Sequence, residues 1–388
     1  MIIGIDASRA NRRLKTGTEW YSFALIQALK TIIRAESDDR VLLYTNAPLE
    51  GGLEVCGDGW EERRLGWRFG RLWTQIRLSW EMFWRPPDVL FIPAHTIPLI
   101  HPKRTVVTIH DIGFERMPEL YPWYDRLYHR FAVRFAVRHA SHIIVPSEFT
   151  RREMIEVYHI SAHRITVVQH GYDQRYTTSP QNLGREPHPN PLLRGEGEID
   201  EEREKSTRRG GSDYFLYIGR LEKKKNIVGL LHAFAEFKKR DKEGYRFVLV
   251  GRRGFGYDEI SRTITELHLA DCTEERGWVP QTEMPELLHS ATAIVLPSFY
   301  EGFGLPLLEA FAAGVPVIAS AIPALREVGG DAVYYVPPYH SEMLTEALTR
   351  ISSDEKLRWA LIEKGRKRLA NFSWERTARE TVRVFAHE

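Results

Sequence analysis

The stretch PSFYEGFGLPLLEAFAAGVPVIAS, from Pro297 to Ser320, decides the fold of this chain. It follows an apolar run, Ala293–Leu296, and closes on a second one, Val315–Ile318, with a helical pattern between them. Strand, glycine-rich turn, helix and strand form one βαβ unit. Ligands bind at the turn after the first strand of such a unit, because the free N–H groups of the helix converge there. The stretch therefore raises the question of why Glu301 and Glu309 flank this turn.

Short apolar runs alternate with helical patterns along the rest of the chain, which predicts parallel, doubly wound sheets. The runs in the first half are Ile2–Ile5, Val41–Tyr44, Val89–Ile92, Val106–Ile109, Ile143–Val145 and Ile165–Val168. Those in the second half are Tyr214–Ile218, Phe247–Val250, Ala293–Leu296, Val315–Ala319 and Ala332–Val336. The chain has 388 residues. That exceeds the roughly 250–300 residues at which a single core stops growing, so we expect two α/β domains of similar size.

The two halves are separated by a segment without apolar periodicity, from about Gln174 to Asp213. It is rich in proline, glycine and charge, and such a segment buries too little surface to offset its ordering entropy. We expect a flexible insertion in an interdomain linker, with a docking peptide as the alternative.

Composition excludes several classes of protein. The formal net charge of +2 is too small to indicate a nucleic-acid partner. The two cysteines, Cys56 and Cys272, lie far apart without metal-ligand spacing, which favours a reduced, cytoplasmic setting over a disulfide framework or a zinc site. No run approaches the roughly 20 apolar residues of a membrane span, so we expect a soluble protein.

Strand ends in the first half carry several polar candidates. Gly17 opens a helix and would let its N-terminus approach an anion, although a plain turn and cap fits equally. His110 could offer a hydrogen bond or a charge near a reacting group, with a structural histidine as the alternative. Ser147 is typical of a helix N-cap. His170, just before the linker, is typical of a packing or hinge residue.

Strand ends in the second half indicate a binding site for a nucleotide-sugar. Arg220 and Lys225, after the strand that ends near Gly219, could hold a diphosphate, although a lysine run can also be a solvated surface. Gly302 and Gly304 would let backbone N–H groups approach the same ligand. Carboxylates beside phosphates would be repelled, so the two glutamates of the opening stretch should accept hydrogen bonds from sugar hydroxyls.

The combined pattern closely resembles that of the retaining glycosyltransferases of family 4, also called group 1, in particular their mannosyltransferase members. The resemblance covers nearly the whole chain. It rests on Gly17, on His110-Asp111, on His170-Gly171-Tyr172-Asp173, on Gly219-Arg220 with Lys225-Asn226, and on the signature at Pro297–Ser320. It implies the GT-B fold, in which two Rossmann-like doubly wound parallel-sheet domains face a central cleft.

The resemblance also implies roles for individual residues. Arg220 and Lys225 would stabilise the donor diphosphate, Gly17 would give it room, and His110 would lie near the reacting sugar. Gly219 is also expected among the residues that bind the donor. Glu301 would contact donor-sugar hydroxyls and Glu309 the ribose. The remaining expected contacts are the backbone at Gly302, Phe303, Gly304 and Leu305 for phosphate and sugar, and Trp278 and Val279 for the base. Of these, His110, Glu301, Arg220 and Lys225 are the expected catalytic residues.

The same resemblance implies that no cofactor or metal is needed. No Asp-x-Asp motif stands at a strand end, and lysine and arginine would neutralise the leaving diphosphate. Retention in the family is thought to proceed by front-side attack, with a diphosphate oxygen accepting the acceptor's proton, so no enzymic base is named.

The expected domains are an acceptor domain over 1–173, the linker over 174–213, a donor domain over 214–371 and a final helix over 372–388 that crosses back to the first domain. The linker is longer than the family usually carries. The acceptor domain also contains an unusual segment, Gly59–Pro87, with five tryptophans among six arginines. It predicts either a helix on anionic lipid, as at the inner face of the cell membrane, or a core-packing helix with a basic face. A second basic amphipathic stretch, Tyr124–His139, favours the lipid interpretation.

We therefore expect a metal-independent transferase that moves a hexosyl unit to a glycan or lipid-linked acceptor. The opening residues, Gly4–Arg9, and Thr105–Asp111 look most like those of mannosyltransferases and favour GDP-mannose, with UDP- and ADP-linked sugars left open. The alternative is a non-catalytic GT-B subunit of a polysaccharide assembly complex. Non-hydrolysing sugar-nucleotide epimerases share the architecture, but no positive signature for them is present.

Overall fold

The computed structural model describes residues 1–33, 39–55, 57, 59–67, 72–177 and 213–386. These residues form two parallel β-sheets, each covered by helices on both faces. The arrangement confirms the predicted GT-B fold. Residues 178–212 of the expected linker, together with Cys56, Arg68 and Arg71, lie outside the described residues.

All the strand pairs in both sheets are parallel. In each sheet the strand that comes first in the sequence lies in the interior, with later strands on both sides of it. The first sheet has the order β3-β2-β1-β4-β5-β6-β7 and the second the order β10-β9-β8-β11-β12-β13. The strands of the first sheet are β1 (Ile2–Asp6), β2 (Arg40–Thr45), β3 (Trp60–Arg64), β4 (Val89–Ile92), β5 (Thr105–Thr108), β6 (His142–Val145) and β7 (Ile165–Val167). Those of the second are β8 (Tyr214–Ile218), β9 (Arg246–Val250), β10 (Thr273–Gly277), β11 (Ala293–Leu296), β12 (Val317–Ser320) and β13 (Tyr334–Val336).

The helices connect these strands and lie on both faces of each sheet. In the first half they are α1 (Gly17–Ile32), α2 (Ser79–Trp84), α3 (Gly113–Arg116), α4 (Trp123–His139) and α5 (Glu148–Tyr158), and a π-helical turn, Trp73–Leu78, leads into α2. In the second half they are α6 (Ile227–Lys238), α7 (Tyr257–Glu266), α8 (Met284–His289), α9 (Leu305–Ala313), α10 (Pro323–Gly329), α11 (Ser341–Ser353), α12 (Glu355–Leu369) and α13 (Trp374–Ala386).

The central strands are buried on both faces, which is why they read as continuous apolar runs rather than alternating ones. Every residue of β4, β5, β11 and β12 is buried. In each sheet the order reverses beside the first strand, between β1 and β4 and between β8 and β11. Such a reversal opens a crevice at the carboxyl ends of the strands. The fold thus brings the loops after these strands to the site.

The two strands that the sequence pattern missed, β3 and β10, lie at the edges of their sheets. Their sequences, WEERR and TEERG, are mostly charged. Edge strands tolerate charge because only one side pairs, and the charge discourages association with other chains. An apolar run was therefore the wrong signal for these two strands.

The prediction of a helix in Gly59–Pro87 holds only for the later part of this segment. Its first residues form β3, where Trp60 is buried and donates from Nε1 to the Ile33 carbonyl at 2.9 Å. Helical structure begins only at Trp73, which is also buried. Trp80 and Trp84, by contrast, are 60% and 63% exposed. The tryptophans therefore divide between the core and the surface.

The last helix, α13, packs on the first domain against α1. Its Ala378, Val384 and Phe385 belong to the same buried cluster as Ile5 and Leu25. Thr377 Oγ1 donates to the Gln169 carbonyl at 2.7 Å, which ties the helix to the segment after β7.

Candidate active site

The signature turn of the second domain touches the end of β5 in the first. A Cβ added at Gly302 would lie 1.9 Å from the carbonyl oxygen of His110, so only glycine permits this approach. The loops that follow β5 and β11 therefore meet directly across the cleft between the two domains.

Backbone conformation at Gly304 sets the start of α9. Gly304 has φ of 107°, in the left-handed region, and a Cβ there would lie 2.5 Å from Leu325 Cδ2. Within the described residues, no protein group accepts a hydrogen bond from the N–H of Phe303 or of Gly304. These two groups, together with the positive end of α9, can bind an anion.

Lys225 and Glu301 form an ion pair at the base of this turn. The distance from Lys225 Nζ to Glu301 Oε1 is 2.5 Å, and both side chains are less than one-fifth exposed. Ser298 Oγ donates to the same carboxylate oxygen at 2.8 Å. The pair joins the loop after β8 to the loop after β11 and leaves the second carboxylate oxygen available to other donors.

Arg220 lies in the same loop as Lys225, just after β8, and its side chain is accessible. Its side chain is 53% exposed, and its Nε lies 3.2 Å from Glu222 Oε2. Its carbonyl accepts from the buried hydroxyl of Tyr217 at 2.9 Å, which fixes the backbone of the loop. The guanidinium is thus held at its base and open at its tip, as an anion-binding fork requires.

Lys224 is a cleft residue whose role sequence reasoning missed. Its Nζ lies 3.5 Å from Asp111 Oδ2 of the first domain and 5.3 Å from the centre of the Tyr121 ring. Burial would lower the pKa of Lys224, but Asp111 and Tyr121 hold it well above its usual value. Burial disfavours the charged form of Asp111 too, and so raises its pKa. The charge of Lys224, the Gly113 N–H and the charge of Lys225 outweigh this effect and bring the pKa of Asp111 down to about 2. The ion pair is therefore charged at neutral pH and joins the two domains.

His110 presents a neutral imidazole to the cleft. Its Nε2 lies 3.3 Å from the Pro93 carbonyl, and because a carbonyl only accepts, the proton is on Nε2 and Nδ1 is an acceptor. Burial lowers the pKa of His110, which the bond to Pro93 and the charge of Asp111 only partly oppose. The ring packs edge-on against Tyr21 at 4.7 Å. His110 can therefore accept a hydroxyl hydrogen bond.

His170 lies behind His110 and is a packing residue. It is 4% exposed, and its ring packs on Tyr21 at 4.5 Å and Phe303 at 4.6 Å. Burial, followed by the neighbouring His110, lowers its pKa well below the usual value, and neither ring nitrogen has a partner among the described residues. The neutral ring fills the space between the domains.

Glu309 lies on α9, one helical turn into the helix. Burial, followed by the carboxylate of Asp173, raises the pKa of Glu309 to about 7. A carboxyl in this environment gains most from groups that donate hydrogen bonds to its charged form.

The remaining predicted residues lie at the start of a helix or just after a strand. Gly17 opens α1, and a Cβ there would meet no atom within 4 Å. Gly219 ends β8, and a Cβ on its neighbour Gly251 would lie 1.7 Å from the Gly219 carbonyl oxygen. Gly251 N–H donates to the Gly277 carbonyl at 2.7 Å, which places the exposed Trp278 and the buried Val279 next to this loop.

A histidine pair beside His110 was also missed. His129 Nδ1 lies 3.1 Å from His95 Nε2, and burial lowers the pKa of both rings. His95 follows β4, which lies between β1 and β5 in the sheet. Applying the strand-end rule to β4 would have found it. In the described part of the chain, no group of three or more His, Cys, Asp or Glu side chains could hold a metal ion.

Comparison with known proteins places this site in a family. Residues 17–176 match the family described as Glycosyltransferase Family 4, and residues 198–368 match Glycosyl transferases group 1. The O-antigen chain mannosyltransferase B of Escherichia coli is 30% identical over 284 residues, which are 73% of this chain and 70% of the relative. The O-antigen chain mannosyltransferase RfbU of Salmonella typhimurium is 27% identical over 260 residues, 66% of this chain and 63% of the relative.

The fold is shared with solved structures. The Anabaena protein Alr3699/HepE in complex with UDP-glucose superposes with a TM-score of 0.69 at 18% identity, over 99% of each chain. Because family models match both domains and the Escherichia coli relative is 30% identical over 70% of its own length, the chain belongs to the group 1 glycosyltransferases of family 4.

Proposed function

We propose that this protein transfers a hexosyl unit, with retention, from a nucleoside diphosphate sugar to a glycan or lipid-linked acceptor, without a metal ion. The observation that carries the proposal is the cluster of Arg220, Lys225 and Glu301 around the Gly302–Gly304 turn, facing His110 across the cleft. We propose mannose from GDP-mannose, which the two O-antigen mannosyltransferase relatives support.

The leaving diphosphate determines what the site must do. Negative charge develops on it as the glycosidic bond breaks, and preformed cations and N–H groups stabilise that charge most effectively. Arg220, Lys225 and the N–H groups of Phe303 and Gly304 would supply this stabilisation. Glu301, held by Lys225 and Ser298, would accept bonds from donor-sugar hydroxyls, and His110 Nδ1 would accept one from the reacting sugar.

Proton transfer follows from the same charges. In front-side attack the acceptor hydroxyl would give its proton to a diphosphate oxygen as the bond to the sugar forms on the same face. No protein base is required for that step.

Nucleotide binding tests the proposal. Purified protein is titrated with GDP, UDP and ADP in the presence of EDTA, and the thermal midpoint is followed. A ligand at 100 times its Kd adds about 2.7 kcal/mol to the free energy of unfolding, so a rise of several degrees is expected with one nucleotide, GDP. Arg220→Ala should abolish the rise, whereas Arg240→Ala, on the far surface of the same domain, should leave it intact.

Turnover separates the two proposed classes of protein. Binding of GDP together with release of GDP from GDP-mannose supports a transferase. Binding without any turnover, with lipid extract supplied as acceptor, would favour the non-catalytic subunit. No midpoint rise with any of the three nucleotides would contradict both.

The raised pKa of Glu309 predicts a pH dependence for nucleotide binding. We propose that Glu309 accepts bonds from the ribose hydroxyls, which favours its ionised form. With a pKa of about 7, the ionised fraction rises roughly tenfold from pH 6 to pH 8, so GDP should bind about tenfold more tightly at pH 8 than at pH 6. Isothermal titration measures both Kd values. The nucleotide phosphate also titrates in this range, so the pH dependence of the Kd is compared with that of the Glu309→Gln variant. In that variant the part of the pH dependence that comes from Glu309 should be absent. An unchanged profile in the variant would assign the effect elsewhere.

We also propose that the first domain contacts an anionic membrane surface on the cytoplasmic side. Among the described residues, no helix is both long and apolar enough to cross a bilayer. Yet α2 and α4 each carry exposed large apolar side chains, which we define together as the aromatic face: Trp80, Phe83, Trp84, Trp123, Tyr124, Leu127 and Phe131. Gln75 Nε2 donates to the Tyr128 hydroxyl at 2.9 Å and joins the two helical segments.

Charge on α4 supports a lipid partner. Arg126, Arg130, Arg134 and Arg138 recur every four residues and so form one stripe along the helix, beside the aromatic face. Arg130 and Arg134 also pair with Glu115, at 3.1 Å and 3.7 Å, and the stripe keeps an excess of positive charge. A helix with an apolar face and a basic stripe lies in the interface of an anionic bilayer. This orientation would suit a lipid-linked acceptor.

A further inference from the structure

The Gly302 carbonyl of the signature turn is held by the other domain. Ser147 Oγ donates to it at 2.7 Å and Thr150 Oγ1 at 3.2 Å. Both residues are completely buried, and both stand at the start of α5 in the first domain. Ser147 also acts as the N-cap of α5, because its oxygen accepts from the Thr150 N–H at 3.1 Å. One hydroxyl therefore caps a helix and orients a peptide 155 residues away.

Fixing this carbonyl also fixes the next N–H. The described residues contain no cis peptide bond, so the Gly302–Phe303 peptide is trans and its C=O and N–H point in opposite directions. With the carbonyl directed at α5, the Phe303 N–H is directed away from it. The other side of Gly302 rests on the His110 carbonyl. The first domain thus determines the direction of an N–H group for which the described residues supply no acceptor.

A second contact holds the domains at this separation. The Glu327 carboxylate, on α10, accepts from the N–H groups of Glu148 at 2.7 Å and Phe149 at 2.9 Å. These are free donors of the first turn of α5, where negative charge is favoured. The Glu327 carbonyl is in turn held by Arg368 Nη2 at 2.6 Å. Glu327 therefore supplies an anchored anion to the helix start of the opposite domain.

We propose that the start of α5 is a positioning element for the donor: Ser147 and Thr150 orient the Gly302–Phe303 peptide, and Glu327 holds the domains close enough for them to do so. The Phe303 N–H is then aligned for the diphosphate only when the domains are closed. The identity of the ligand rests on the proposed function, whereas the interdomain contact does not.

Interdomain distance in the ligand-free protein tests the contact. Spin labels are placed by Arg138→Cys in the first domain and Arg240→Cys in the second, with Cys56 and Cys272 replaced by serine. Pulsed electron paramagnetic resonance should give one narrow distribution of the distance between the two labels. Ser147→Ala with Glu327→Gln should broaden it and add longer distances.

Two controls remove a similar interaction within the second domain alone. Asp354 caps α12 by accepting from the Leu357 N–H at 2.9 Å, and Glu363 pairs with Arg366 at 2.8 Å on the surface. Asp354→Ala with Glu363→Gln should keep the narrow distribution. If the test and control variants give the same distribution, the proposal is overturned.

Nucleotide affinity tests the positioning role. Ser147→Ala should weaken GDP binding by about fivefold to tenfold, as the loss of one buried hydrogen bond does. Thr150→Val should weaken it several-fold and Thr150→Ser, which keeps the hydroxyl, should restore it. In turnover, KM for GDP-mannose should rise more than kcat falls.

The outcomes distinguish the two proposals. If the intact protein binds no nucleotide, the proposed function fails, and the distance measurement alone decides whether α5 and Glu327 hold the domains. If the intact protein binds GDP and the Thr150→Val and Thr150→Ser variants bind it with equal affinity, the positioning role is refuted.

Discussion

Replacing Lys225 with alanine is expected to lower kcat/KM for the donor by a factor on the order of 10²–10³. The ammonium lies 2.5 Å from Glu301 at the base of the Gly302–Gly304 turn, where charge on the leaving diphosphate would develop. Its removal takes away that stabilisation and leaves the Glu301 carboxylate with Ser298 as its remaining side-chain partner. Release of the nucleoside diphosphate from the donor, measured at several donor concentrations, gives the change in kcat/KM.

The lysine run itself supplies the control. Lys223 stands two residues earlier in the same 3₁₀ turn and is exposed. Lys223→Ala should change kcat/KM by less than twofold. Lys225→Arg keeps the charge but not the shape, so it should recover only part of the loss. Equal effects at positions 223 and 225 would show that the run acts as a diffuse surface charge.

Removing the aromatic face should abolish binding to anionic vesicles, with a fall in the partition coefficient on the order of 10² or more. Burying one large apolar side chain contributes roughly 1.5–3 kcal/mol, so three substitutions at half-exposed positions account for this factor. The variant is Trp80→Ser, Trp84→Ser and Phe131→Ser, whose side chains are each about 60% exposed. Co-sedimentation with vesicles of phosphatidylglycerol and phosphatidylcholine measures the partition.

The control for this experiment substitutes exposed apolar residues of the second domain. Phe255→Ser, Tyr339→Ser and Met343→Ser alter side chains that are 41%, 70% and 45% exposed, and the partition should not change. A separate variant combines Arg126→Gln, Arg134→Gln and Arg138→Gln. Its free energy of binding to anionic vesicles should be weaker by about 1 kcal/mol for each charge removed. If intact protein does not sediment with anionic vesicles, the aromatic face serves another partner.

The repeated βαβ pattern was sufficient to predict that the chain has two parallel sheets, because strands that are buried on both faces consist of unbroken apolar runs. Glu301 and Glu309 also became interpretable from their position around a glycine turn at a strand end. The residue roles at this turn came from resemblance to the family, and they stay predictions until the variants above are measured.

The rest depended on contacts that link distant segments. Nothing in the run Lys223–Lys225 indicates that Lys224 reaches Asp111 while Lys223 faces solvent; the 3₁₀ turn sends consecutive side chains in different directions. The local sequence around Ser147 indicates a helix cap and nothing more. Its hydrogen bond to the Gly302 carbonyl exists only because the two domains meet. The charged strands β3 and β10 were invisible for a local reason, since edge position removes the demand for apolar side chains.

Helix α13 has a practical consequence for engineering. Because Phe385 fills the same core as Leu25, the unit that begins at residue 1 is completed by the last described residues of the chain. A chimaera that exchanges the second domain must therefore be joined at two sites, one after β7 and one before Trp374. It must keep the C-terminal segment of the parent that supplies the first domain. A chimaera with a single junction would pack α13 of one parent against the first domain of the other. Truncation before Trp374 would expose Phe91, which packs on Phe385 at 5.2 Å.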